Sequence, residues 1–136
     1  FFFITNRLRV YSNIRRYILL TWTIKTRILF DDWLEIQNYS VRKKILARLI
    51  ILAEFGPYLG RPYVDRLKRS KFMHMKELRI PVGREPIRAC FAFDSKHCGI
   101  VLCADSKKGW DEKLFYNNLI KRADAEYASH LVKPEE

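Results

Sequence analysis

Three strand-patterned segments follow one another with very little chain between them. Met75 to Ile80, Ile87 to Phe93 and Gly99 to Ala104 are separated only by a turn marked by Pro81 and Gly83 and by the polar stretch Asp94 to His97. A parallel crossover takes roughly a dozen residues or more, so links this short join antiparallel neighbours. In the second segment Ile87, Ala89, Phe91 and Phe93 fall on one face, with Arg88, Cys90 and Ala92 on the other. The third is nearly all apolar, as suits a central strand covered on both faces. A small, mainly antiparallel sheet is therefore the frame into which the rest must fit.

Upstream, Trp22 to Ile28 (WTIKTRI) alternates large apolar and polar residues, the period of a half-buried strand. Phe30, Trp33 and Leu34 then recur at helical spacing, with Asp31 and Asp32 in a first turn where negative charge suits the helix dipole. Ser40 reads as the N-cap of a second helix. Its apolar stripe is Ile45, Leu46, Leu49, Ile50, Leu52 and Ala53, and Gly56 followed by Pro57 stops it. Residues 57 to 71 read as a loop. A final helix runs from about Asp111 to about Leu131, with Leu114, Phe115, Leu119, Ile120, Ala123, Tyr127 and Leu131 as its contacts. The expected order is β-α-α-β-β-β-α: an α+β fold whose sheet packs against an N-terminal helical hairpin, with a C-terminal helix. At 136 residues the chain suits one domain, placed at 22–131 with a tail at 132–136. Residues 1–21 carry Arg7, Arg9, Arg15 and Arg16 and no acid, and read as an extension outside the core. A membrane-surface or transit-type segment is the other reading of that stretch.

Charge narrows the partner. A formal net charge of +11 points to a polyanion: nucleic acid, ribosome, acidic protein or anionic membrane. Seven cations lie between Gly60 and Arg79. Arg61, Arg66, Lys68, Arg69, Lys71 and Lys76 read as a backbone-gripping surface, and Arg79 as a strand residue beside it. Arg79 and Arg88 sit on neighbouring strands and can share a face opposite Lys107 and Lys108. Tyr116, early in the last helix, reads either as a core tyrosine or as a phenol near these cations. In the second case its pKa would fall, and it could act as a base or stack on a nucleobase.

Other chemistries find little support. Cys90, Cys98 and Cys103 lie in apolar surroundings, read as buried thiols of a reducing cytoplasm, and form no C-x2-C pair for a metal. His74, His97 and His130 share no spacing, and no phosphate-binding glycine loop or nucleophilic triad is present. No apolar run is long enough to cross a membrane; the best, Ile45 to Phe55, is broken by Arg48 and Glu54.

Several phrases, in order, resemble the RelE/HigB-like toxins of bacterial toxin–antitoxin systems, in particular the phage-derived HigB-like subgroup. They are EFGPYLGRPYVDRLK, MKELRI, PIRACFAFD, ADSKKGW and LFYNNLIKRADAEYASHL, together covering about Trp22 to Leu131. The resemblance implies a RelE-like fold and a cytoplasmic, ribosome-dependent mRNA endoribonuclease without cofactor. It also implies neutralisation by a cognate antitoxin, often one with a helix-turn-helix domain. Arg88 in PIRACF then resembles the arginine on the scissile phosphate and Arg79 a second basic strand position. Lys107, with Lys108, resembles the basic residue after the last strand, and Tyr116 the aromatic of the last helix. Family members often carry Gly-Asp or Gly-Asn where this chain has Asp105 and Ser106, which puts the turn that aims Lys107 in question. The implied chemistry is attack of the RNA 2′-hydroxyl on the adjacent phosphate. Three other readings stay open: a ParE-like protein that poisons gyrase without cutting RNA, a plain RNA-binding module, and a decayed toxin.

Overall fold

The computed structural model describes residues 22–135, so the expected extension at 1–21 lies outside the described residues. The chain runs β1 (Thr23–Thr26), α1 (Ile28–Glu35), α2 (Tyr39–Phe55), a 3-10 turn (Gly56–Tyr58), β2 (Val64–Arg66), β3 (Lys76–Val82), β4 (Glu85–Phe93), β5 (Cys98–Ser106) and α3 (Glu112–Val132). The strands form one sheet in the order β1-β5-β4-β3-β2. All neighbours are antiparallel except β1, which pairs with β5 in parallel. The α+β class is as the sequence indicates, with an added strand. β2 arises inside the segment expected to be loop, and its three residues become a strand only by pairing with β3.

The short links act as their lengths require. Gly83 and Arg84 close the β3–β4 hairpin between paired Val82 and Glu85, and Gly83 supplies the positive φ (59°) that tight hairpins need. Between β4 and β5, Asp94 Oδ1 accepts from the amides of Lys96 and Cys98. A bulge follows in the β4–β5 ladder: Cys90 pairs with Cys103 but Phe91 with Val101. Leu102 and Cys103 therefore both pack toward α3, which adds apolar area on that face.

The sheet is the middle of three layers. On one face Ile24, Leu78, Ile80, Ile87, Ala89, Phe91, Val101 and Ala104 pack against the α1–α2 hairpin through Phe30, Val41, Ile45, Leu49, Leu52 and Ala53. On the other, Met75, Cys90, Ile100, Leu102 and Cys103 meet Phe115, Leu119, Ile120 and Ala123 of α3. The strand alternation read from the sequence sorts these residues correctly. The helix details shift. Asn38, not Ser40, caps α2, its Oδ1 accepting from Val41 N at 2.9 Å. Val41 replaces Ile50 in the buried stripe, and Leu114 and Leu131 on α3 face outward. Helical periodicity gives a stripe about a turn wide, and its edges depend on what lies opposite.

One glycine is fixed twice over. Gly56 ends α2 with φ 61° and ψ −140°, a region almost closed to other residues. A Cβ there would lie 2.3 Å from the indole of Trp22. Gly56→Ala is expected to lower stability by about 2–4 kcal/mol, read as a reduced urea midpoint at unchanged m-value.

Candidate functional site

The sheet face toward α3 carries charge as well as a core. Arg79 and Arg88 are directly opposite each other in the β3–β4 ladder. Like charges so placed repel. The counter-charge is Glu77, two residues from Arg79 on the same face and only 3% exposed. Its Oε2 accepts from Arg79 Nε at 3.1 Å, and its Oε1 lies 3.6 Å from Arg88 Nε. Oε1 also accepts from the Tyr116 hydroxyl at 2.7 Å, and Arg88 Nε donates to that same hydroxyl at 3.3 Å. Arg88 is held further by a 3.1 Å bond to the carbonyl of Ile87.

Lys107 completes the group from the other side. Its amide bonds to the Pro86 carbonyl, extending the β4–β5 ladder, and its ammonium stands 5.4 Å from the centre of the Tyr116 ring. The turn after it closes through Trp110 N to Lys107 O, with Gly109 at φ 80°. Glycine thus enters after the lysine, and Asp105 instead pairs with Arg122 at 3.1 Å. Lys107 is still aimed at the site. Its present partner is the exposed carboxylate of Glu112 at 2.7 Å, which Lys107 holds below the usual glutamate range.

Glu77, Arg79, Glu112 and Tyr116 line a shallow cleft of about 260 Å³ together with Arg66, Lys68 and Arg69, and Arg88 and Lys107 reach the same group through their contacts with Tyr116. Four residues proposed from sequence for the reacting site therefore converge: Arg79, Arg88, Lys107 and Tyr116. The basic segment divides. Arg66, Lys68 and Arg69 rim this cleft, while Arg61 is at the surface, paired with Asp65 at 2.9 Å. Asp65 also lies 3.6 Å from Arg79. Lys71 lies farther along α3, beside Lys121 and Phe72. Lys76 leaves the group altogether. Its Nζ reaches the Pro57 carbonyl at 3.3 Å on the hairpin side of the sheet, and burial followed by the charge of Arg66 lowers its pKa. Lys108 is exposed in the turn.

The electrostatics correct one expectation. The Tyr116 pKa does not fall among the cations; it is pushed up to about 12. Burial is the largest cause, followed by the hydrogen bond to Glu77 and the charge of Glu77, and these outweigh the opposing effect of Arg88. Grouping Tyr116 with Arg88 and Lys107 from the sequence left out the anion that matters. The decisive anion is 39 residues away in sequence. Glu77 was legible in one respect, because strand period places it on the face of Arg79. Arg79 itself has a raised pKa: burial works against the charged form, and the bond to Glu77 and its charge more than offset it. The cysteines stay apart from this chemistry. All three are buried free thiols, and contact with Cys103 together with burial pushes Cys90 up. Among the described residues no group of His, Cys, Asp or Glu is arranged to hold a metal ion.

Fold and site together define a small basic protein of RelE-like α+β architecture with a carboxylate, a phenol and three cations gathered on one sheet face. The chain belongs to the family described as "Phage derived protein Gp49-like (DUF891)", whose model matches residues 32–128. It is 38% identical over 106 residues to "Putative toxin HigB2" of Mycobacterium tuberculosis, covering 76% of this chain and 52% of that protein. To "Putative toxin HigB3" of the same organism it is 40% identical over 95 residues, covering 69% of this chain and 80% of the relative. The matched region thus spans about half of the first relative and most of the second, and the chain is HigB-like. No solved structure gives a significant match.

The raised Tyr116 pKa sets a pH window. The folded phenol holds its proton to about 12, against 10.0 for an ordinary tyrosine. Its contribution to stability is complete below pH 10 and is lost as pH rises toward 12, because there the unfolded chain binds fewer protons. Glu77→Gln removes the anion and should return Tyr116 toward 10.0. NMR titration of the tyrosine ring carbons checks this: the Tyr116 midpoint should be lower in the variant than the native value of about 12, by the part that Glu77 and not burial supplies.

Proposed function

We propose that this protein is the toxin of a toxin–antitoxin module and acts as a ribosome-dependent mRNA endoribonuclease. The observation that carries the reading is the convergence of Arg79, Arg88 and Lys107 on Tyr116 above buried Glu77. Names carried by the two mycobacterial relatives support the toxin assignment. The RNA supplies its own nucleophile. Its 2′-hydroxyl oxygen bonds to the adjacent phosphorus while the bond to the 5′ oxygen breaks, leaving a cyclic phosphate and a 5′-hydroxyl. A phenol with pKa raised to about 12 is a neutral relay at physiological pH. Tyr116 oxygen takes the 2′ proton as its own proton passes to Glu77 Oε1, already 2.7 Å away. Arg88 and Arg79 stabilise charge developing on the phosphoryl oxygens. Lys107 swings from Glu112 to protonate the departing 5′ oxygen.

The arrangement accounts for a need for the ribosome. Each of the three cations has an internal carboxylate partner, Glu77 or Glu112, so free RNA must compete with a preformed pair. A ribosome that holds mRNA in line supplies the orientation that makes such competition succeed. A ribosome-directed toxin of this kind works in the cytoplasm. Its cognate antitoxin, with a helix-turn-helix domain in this reading, would silence it by covering the basic face. No described helix is long and apolar enough to cross a membrane.

Induced expression followed by primer extension on translated mRNA tests the reading. The native chain should arrest growth and produce cuts in the ribosomal A site. Arg88→Ala should lose at least about 100-fold in cutting, and Tyr116→Phe and Glu77→Gln about 100- to 1,000-fold. Growth arrest with intact mRNA and blocked supercoiling would favour gyrase poisoning instead. RNA binding that survives Tyr116→Phe, without any cutting by the native chain, would leave a plain binding module.

A further inference from the structure

A second cleft, of about 570 Å³, lies next to the first on the α3 side. That volume falls in the roughly 300–1,000 Å³ range of small-ligand sites. Lys71, Phe72, Lys121, Ala125 and Ala128 line it, and Arg69 and Ile120 line both clefts, so the two adjoin. The wall between them is built. Arg69 Nη1 donates to Asn117 Oδ1 at 2.8 Å. Asp124 accepts from Ser70 Oγ at 2.5 Å and from Lys71 N at 3.0 Å, which fastens the basic loop to α3. Phe72 is braced edge-on by Tyr127, with ring centres 4.8 Å apart. The carboxylate in this cleft is thus committed to the loop. Among the described residues the ammonium groups of Lys71 and Lys121 have no ion-pair partner. This contrasts with Arg79, Arg88 and Lys107, which are all paired.

We propose that this second cleft is a nucleotide subsite for the same RNA strand that enters the reacting cleft. A base rests on the apolar floor around Phe72, Ala125 and Ala128, and Lys71 and Lys121 take flanking phosphates. An aromatic floor with a cationic rim is how single-stranded nucleic acid is held without base readout. Unpaired cations make the subsite the place where RNA first binds. Arg69, shared by both clefts, hands the strand to the site whose cations must be won from carboxylates. An acidic protein segment would also suit the charge. Adjacency to the reacting cleft favours the strand, since an RNA held in one cleft needs only to pass Arg69 to reach the other. The inference rests on the RNA-cleaving reading above.

The test uses the full chain and fluorescein-labelled 2′-O-methyl oligonucleotides of seven nucleotides, which lack the attacking hydroxyl and are not cut. Binding is measured across a salt series, and A-site cutting of translated mRNA is measured in parallel. Lys71→Ala with Lys121→Ala should reduce the slope of log K against log salt by about 1.4, at about 0.7 for each single-strand phosphate contact. Ala125→Trp, which fills the cleft without changing charge, should weaken binding about 10-fold. Both variants should also cut more slowly. Lys43→Ala with Lys44→Ala removes equal charge from the hairpin face and should leave the slope within about 0.3 of native. If the native chain cuts while the cleft variants match this control in either measurement, the subsite is overturned and the parent reading stands. A native chain that neither binds nor cuts overturns both. Variants that lose a co-purified antitoxin but keep native RNA affinity assign the cleft to a protein partner, which also overturns the proposal.

Discussion

Glu77 is the residue on which the charged face of the sheet depends. The register of β3 and β4 sets Arg79 directly across from Arg88, an arrangement that repels unless an anion lies between them. Glu77 is that anion, almost fully buried, and its two oxygens are divided among Arg79, Arg88 and Tyr116. A carboxylate so far from water is tolerated because its partners compensate its desolvation. The reverse also holds. Arg88, whose side chain is 12% exposed, finds its polar partners inside the fold in Glu77 and the Tyr116 oxygen.

The same carboxylate ties α3 to the sheet. Tyr116 is on the first turns of α3, and its bond to Glu77 crosses from helix to strand beside the apolar contacts of Phe115 and Leu119. The opposite end of α3 has its own fastening, where buried Arg27 pairs with Glu126 and Glu135. Between them Asp124 holds the basic loop. Four acids, Glu77, Asp124, Glu126 and Glu135, therefore fasten α3 and the basic loop in place. A net charge of +11 describes the chain's attraction to polyanions; these few carboxylates decide which cations are free to act on it.

The sequence made the sheet legible because strand alternation and link length are local properties. Ile87, Ala89 and Phe91 sort to one face and Cys90 to the other, as the period of two requires. It missed β2, since Val64–Arg66 has no pattern of its own and becomes a strand only on pairing with β3. It put the α2 cap at Ser40, because side chains at Asn38 and Ser40 are equally able to cap and only the path of the chain selects between them. Lys76 shows the limit of reading a charge cluster as a surface. It neighbours Glu77 in sequence, and its side chain ends on the opposite side of the sheet.

What the sequence by itself determined is the α+β class, the family, the basic character, and four candidate residues whose meeting on one face only the folded chain shows. Each follows from short-range pattern, composition or motif order. Only the tertiary structure decided the chemistry of that meeting. Tyr116 holds its proton instead of losing it, because Glu77, distant in the chain, is its nearest charged partner inside a desolvated pocket. Only the tertiary structure separated the cations that are already paired from Lys71 and Lys121, which have no ion-pair partner among the described residues. The reason is the same in both cases. Charge is a property of a residue and can be read from its letter, whereas pKa and pairing belong to contacts that exist only once the chain has closed on itself.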